Sequence, residues 1–189
     1  MIMRKPNRVL FLFLDIILIA CMVYLDRYTK DLATLYLKGK DPYVIIPDIL
    51  VLQYLEGGNK GGAFGIFYGQ KYLFIGIAVV FLIAMLIALI RIPPVKKYRV
   101  LRFFICAISA GAIGNAIDRI LQGSVVDFIY IIYINFPIFN VADIYVTVSA
   151  FALAVLILFV YKEEDLNMKK ANDFKVHSSM IKKDEEKDE

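Results

Sequence analysis

The sequence has no tryptophan, two cysteines and a single histidine in 189 residues, and each scarcity closes a class of chemistry. The histidine, His177, stands among Lys, Glu and Asp near the C-terminus, where a solvated side chain is expected. Ser-His and Cys-His nucleophile pairs and a zinc-binding H-E-x-x-H helix therefore have no histidine to use. Cys21 and Cys106 lie in apolar runs without metal-like spacing, so two ordinary buried thiols are expected rather than a disulfide framework or a zinc site. A Walker loop, a dinucleotide-type glycine fingerprint, a nucleic-acid motif and an internal repeat are also missing, and no nucleic-acid partner is expected.

Charge is scarce as well: 21% of residues are charged against 60% hydrophobic, and the apolar residues come in long unbroken blocks that a soluble core does not need. Crossing a bilayer takes roughly 20 apolar residues. Four segments qualify: Val9 to Leu25, Tyr72 to Ile92, Val100 to Ile120 and Val141 to Tyr161. The expected fold class is an all-α polytopic membrane protein with four transmembrane helices. A membrane domain covers residues 1–161, with loops at 26–71 and 122–139, followed by a charged, disordered tail over 162–189.

Lys and Arg set the sidedness. Arg4, Lys5 and Arg8 precede the first span, Arg91, Lys96, Lys97, Arg99 and Arg102 surround the link between the second and third, and Lys162, Lys169 and Lys170 follow the fourth. The link from Gln122 to Phe139 has neither Lys nor Arg, which suits translocation. The 26–71 loop carries Arg27, Lys30, Lys38, Lys40, Lys60 and Lys71, but an even number of spans places it outside with the other. Both termini are then cytoplasmic, and the net charge of +4 reflects orientation and contact with anionic membrane lipids.

Within that topology the polar residues converge on the outer side. Asp26 and Lys30 follow the first span, and Asn59 lies in a loop with Gly57, Gly58, Gly61, Gly62, Gly65 and Gly69. Asn115, Asp118 and Arg119 share one face of the third helix, Asp127 sits in the outer link, and Asn140 and Asp143 open the fourth helix. Ionisable groups at membrane depth usually face a bundle interior or a wet cavity and mark a functional site. Helix-gluing pairs are the alternative, and for Asp118 with Arg119 or another neighbour the two readings weigh equally. Val44 to Leu55 mixes β-branched and aromatic residues, and reads as short strands. The glycines after it fit either a cradle for an extended peptide or a flexible turn.

With histidine excluded, carboxylates remain, and two that share a proton can activate water and protonate a leaving amine. A membrane channel or transporter is the rival reading. It lacks a polar path to the cytoplasmic side: the second span is uncharged from Tyr72 to Ile90, and Asp15 is the one charged residue in the inner halves. A helix-packing scaffold is the third. Asp15 itself has no assigned role beyond a hydrogen bond inside the bundle while protonated.

Five stretches resemble lipoprotein signal peptidase, the signal peptidase II of bacteria: Asp26-Arg27-Tyr28-Thr29-Lys30, Asn59-Lys60-Gly61-Gly62-Ala63-Phe64-Gly65, Gly114-Asn115-Ala116-Ile117-Asp118-Arg119, Val125-Val126-Asp127-Phe128 and Phe139-Asn140-Val141-Ala142-Asp143. Their order and spacing match, and the resemblance runs from the first span to the fourth. It implies an aspartyl endopeptidase of the bacterial inner membrane that removes the signal peptide of diacylglyceryl-modified prolipoproteins just before the lipidated cysteine. No metal or other cofactor is implied. Asp127 and Asp143 fall on the catalytic pair, and Asp26, Lys30, Asn59, Asn115, Asp118, Arg119 and Asn140 hold the site or the substrate backbone. The resemblance also implies a small extracytoplasmic β-rich cradle, and peptide antibiotics such as globomycin as inhibitors at the dyad.

Gly62, Ile144 and Ser149 depart from the family's usual residues without removing a carboxylate. Leu18-Ile19-Ala20-Cys21 looks like a lipidation box of its own, but Met22 to Leu25 continue the apolar run and three more spans follow, so the likeness is read as accidental. Asp143, in the first turn of the fourth helix, is expected to be the resting base. Asp127, among Val125, Val126, Phe128 and Ile129, is expected to carry the shared proton.

Overall fold

The computed structural model describes residues 7–61, 69–162 and 165. Four helices in it are long and apolar enough to cross a membrane. The expectations for the 163–189 tail, apart from residue 165, and for Gly62 to Gly65 lie outside the described residues. The chain divides into two units, Met1–Ala150 and Phe151–Glu189. The second holds the end of the fourth helix and a π turn, Leu156–Val160.

Helix α1 runs Arg8–Leu37, capped at its start by the Asn7 side chain, which accepts from the amides of Val9 and Leu10. It continues twelve residues beyond the apolar run, through a stretch that the sequence reading placed in the outer loop. The chain between Asp26 and Leu37 contains neither Gly nor Pro, and its charges answer one another: Lys30 bonds Asp26 one turn back at 2.8 Å, and Arg27 reaches Asp31 at 3.5 Å. Helix α2, Lys71–Arg91, is apolar all round and buries only Leu89, so its faces are left for lipid. It ends where Pro93 and Pro94 follow.

Helix α3, Arg99–Gln122, is the central helix, with eleven of its 24 residues buried where each of the other three buries only a few. Small residues let neighbours come close: a Cβ on Gly111 would meet the Ala142 carbonyl oxygen at 2.5 Å. Gly123 closes α3 in the left-handed region, φ 77°, with its amide on the Arg119 carbonyl. Helix α4 spans Val141–Val155. Cys106 is buried in α3 as expected, whereas Cys21 lies on an exposed face of α1 rather than in the interior.

The far end of the bundle corrects a further expectation. Asp15 is not a lone acid: it pairs with Arg102 of α3, which also donates to the carbonyls of Leu89 and Ile92, both at 2.8 Å. Arg102 lies one turn inside α3 and turns inward, where the sequence grouped it with the solvated link. The acid therefore meets a guanidinium from the facing helix, a partner the spacing along α1 did not reveal.

Three short strands form an antiparallel sheet in the order β1 (Tyr43–Ile46), β2 (Leu50–Leu52), β3 (Ile129–Ile131). Val51 faces Val44 on one side and Tyr130 on the other. Beyond β2 the pairing continues: the amides of Gln53 and Leu55 donate to Phe128 and Asp127, and Asn59 and Val125 exchange both bonds at 2.8 and 2.9 Å. Ala33 of α1 packs with Val126 and Phe128, joined by Leu37, Leu52 and Tyr54. The added turns of α1 are thus the floor on which the Asp127 strand lies.

Candidate active site

Each dyad carboxylate is positioned by the backbone around it. Asp127 sits on the extended segment zipped to residues 53–59, which brings Asn59 beside it. Asn59 Oδ1 accepts from the Gly61 amide at 3.0 Å, which leaves its NH2 to donate to Asp127 Oδ2 at 2.9 Å. The other oxygen, Oδ1, accepts from Asn140 Nδ2 at 2.6 Å.

Asp143 is fixed by a reciprocal cap at the start of α4. Asn140 Oδ1 accepts from the Asp143 amide at 3.0 Å, and Asp143 Oδ2 accepts from the Asn140 amide at 3.1 Å, the pattern of a capping box with aspartate in the third helical position. Asn115 Nδ2 donates to the remaining oxygen, Asp143 Oδ1, at 2.8 Å. Asn140 therefore touches both acids.

Asp127 is 1% exposed. Burial pushes its carboxyl up to about 7, with the charge of Asp143 adding to the rise and the amides of Asn59 and Asn140 and the Lys30 ammonium opposing it. A buried carboxyl poised near neutrality beside a second carboxyl suits proton transfer at physiological pH.

Behind the dyad is an ionic layer in which Asp26, Lys30 and Asp118 are fully buried. Lys30 Nζ reaches Asp26 at 2.8 Å, Asp118 at 2.9 Å and Asn115 Oδ1 at 3.0 Å. Asp118 also pairs with Arg27, a residue the sequence reading counted in a motif but gave no role. Its signal was its place one residue from Asp26 and three from Lys30, on the same helix end. Arg119, expected near Asp118, points elsewhere: it donates to the Gly61 carbonyl at 3.0 Å and lies over the Phe74 ring, 4.5 Å from its centroid. The nine residues singled out in the sequence thus gather at one end of the bundle, joined through these hydrogen bonds and ion pairs. Gly114 carried no signal in the sequence beyond its place in a motif. A Cβ there would lie 2.3 Å from Asp26 Oδ2, so only glycine fits beside that carboxylate. Of the departures from the family pattern among the described residues, Ile144 is exposed and Ser149 buried.

Four helices able to cross a membrane thus hold a buried and a half-buried carboxyl in a cage of amides, and comparison with known proteins gives the class. Residues 18–159 match the family described as Signal peptidase (SPase) II. The chain is 39% identical over 145 residues to the lipoprotein signal peptidase of Caldanaerobacter subterraneus subsp. tengcongensis, covering 76% of this chain and 95% of that one. It is 36% identical over 148 residues to that of Brevibacillus brevis, covering 78% and 95%. A solved bacterial membrane enzyme superposes with a TM-score of 0.70 at 32% identity, over 86% of this chain and 98% of the other. The chain belongs to the signal peptidase II family, and is a multi-pass membrane protease of lipoprotein processing.

Proposed function

We propose that this protease is an aspartyl endopeptidase, with Asp127 and Asp143 as its catalytic pair, that cuts diacylglyceryl-modified prolipoproteins just before the lipidated cysteine. The observation that carries the reading is the cage: each of the four dyad oxygens accepts a hydrogen bond, three from the amides of Asn59, Asn115 and Asn140 and one from the Asn140 backbone. Donors on every oxygen stabilise charge on the pair. The rise of Asp127 toward 7 supplies one proton for the pair to share.

In the proposed reaction the Asp143 carboxylate takes a proton from water as the water oxygen attacks the scissile carbonyl carbon. Asp127 gives its proton to the carbonyl oxygen. The tetrahedral intermediate collapses as the carbonyl re-forms and the C–N bond breaks. The proton held by Asp143 goes to the leaving nitrogen, and the hydroxyl proton returns to Asp127. The products are a signal peptide with a new carboxylate and a lipidated cysteine with a free α-amine. No cofactor enters.

The charge bias of the links favours a topology with both termini in the cytoplasm of a bacterial inner membrane and the dyad at its outer face, where membrane lipids and the substrate's acyl chains meet. Peptide antibiotics of the globomycin type are expected to occupy the dyad. Mass spectrometry of a lipidated prolipoprotein incubated with the purified protein tests this reading. A product beginning at the modified cysteine, blocked by globomycin, is the expected result; cleavage elsewhere, or an unmodified precursor cut equally well, contradicts it.

A further inference from the structure

Lys30 lies one layer behind the dyad, and each of its three polar contacts, two hydrogen bonds and one further ion pair, leads to an aspartate of the pair. The first goes to Asp26 Oδ2 at 2.8 Å, and the other oxygen of Asp26 accepts from the Ala142 amide at 2.9 Å, the residue directly before Asp143. The second goes to Asp118 Oδ2 at 2.9 Å, which also accepts from the Val126 amide at 3.3 Å, the residue directly before Asp127. The third goes to Asn115 Oδ1 at 3.0 Å. That oxygen also accepts from Asn140 Nδ2 at 3.1 Å. With Oδ1 so occupied, the Asn115 amide presents its NH2 to Asp143 and cannot turn over without facing donor to donor.

We propose that Lys30 is a positioning residue for both dyad aspartates: its ammonium ties the two carboxylate posts that hold the peptide units preceding Asp127 and Asp143, and locks the Asn115 amide with its donor toward Asp143. One lysine thereby sets the spacing of two segments far apart in the chain. The inference rests on the aspartyl reading above.

Charge balance separates this role from mere neutralisation. The layer holds two cations, Lys30 and Arg27, and two carboxylates, Asp26 and Asp118. Lys30→Met alone leaves one buried carboxylate in excess. The double variant Lys30→Met/Asp26→Asn leaves Arg27 paired with Asp118, and the side-chain amide that replaces the Asp26 carboxylate keeps an oxygen to accept from the Ala142 N–H.

The experiment measures kcat, KM and thermal unfolding for wild type, both variants and Asp127→Asn, with a diacylglyceryl-modified prolipoprotein as substrate. Lys30→Met is expected to lower the unfolding midpoint by about 10 °C. The double variant recovers most of that loss, yet its kcat stays about 100-fold down with KM little changed, because the reacting groups are misplaced. Recovery of kcat together with the midpoint would overturn the proposal and leave Lys30 a counter-ion. If Lys30→Met does not fold, Lys30→Gln, neutral and of similar length, takes its place in the same pair of comparisons. Asp127→Asn reads out the underlying chemistry: full cleavage by that variant sinks the aspartyl reading whatever the Lys30 variants do.

Discussion

At the scale of single residues, the proposed chemistry turns on how the surroundings divide two acids of the same kind. Asp127 loses water and gains a charged neighbour, and both effects favour its protonated form. Asn59 works against them by donating to Oδ2. Removing that donor with Asn59→Ala raises the carboxyl further above 7. In the proposed reaction Asp127 acts while protonated, so activity should be lost as pH rises through its pKa, and a higher pKa should carry the alkaline limb of kcat upward by roughly one pH unit. A limb that stays in place or moves down would show that the profile belongs to another group. The limb reports the pair as a unit, since two interacting acids titrate together.

Most of these residues were legible in the sequence because a charge or amide inside an apolar run is conspicuous. Their partners were not. Spacing along α3 pointed from Asp118 to Arg119, its immediate neighbour, whereas the ions that meet it, Arg27 and Lys30, come from α1. Helical periodicity reports which side chains share a face, and choice of partner depends on the helix opposite. Gly114 was hidden for the same reason, because its requirement arises from the Asp26 carboxylate on another helix.

At the scale of elements, close crossings do what the side chains alone cannot. Gly114→Ala drives a methyl into Asp26 and so disturbs the bonds to Lys30 and the Ala142 amide. A loss of about 1–3 kcal/mol in stability is expected, with a fall in activity. Gly76→Ala on α2, where a Cβ meets open space, is the matched control and should cost nothing. Equal effects of the two would show that the α1–α3 approach is slack.

The opposite end gives a second element-scale prediction. Arg102→Leu strands Asp15 and frees the Leu89 and Ile92 carbonyls at the end of α2, so it should destabilise by about 3–5 kcal/mol. Asp15→Asn keeps a hydrogen-bonding partner and leaves the α2 carbonyls satisfied. It should therefore cost clearly less in thermal unfolding. The reverse order would mean that the acid, and not the guanidinium, holds the far end. The sequence showed Asp15 as an oddity but not its partner, 87 positions away, since Arg102 looked like one more basic residue of a cytoplasmic link.

At the scale of the whole molecule, four apolar blocks were enough to read the membrane fold, and the glycines and β-branched residues between the first two were enough to expect strands. The boundary between helix and loop after Asp26 was misread. Loss of hydrophobicity there marks the end of the apolar run, while the helix persists on internal ion pairs and on the packing of Ala33 against Val126 and Phe128. The proposed sidedness rests on the Lys and Arg bias. Cysteines introduced at Tyr133 and at Lys97 in a variant lacking Cys21 and Cys106 should label from outside and only after permeabilisation, respectively. The opposite pattern would invert the topology.

On the proposed function, one pair of aspartates, Asp127 and Asp143, performs the cleavage. The most direct test is single-turnover cleavage of a purified, lipidated prolipoprotein by wild type, Asp127→Asn and Asp143→Asn, each shown to be folded and to bind substrate. Each substitution should lower the rate by about 10²- to 10⁴-fold while leaving binding in place, the loss expected when a positioned acid or base is removed. Either variant cleaving at close to the wild-type rate would contradict the assignment and require the chemistry to lie elsewhere in the bundle.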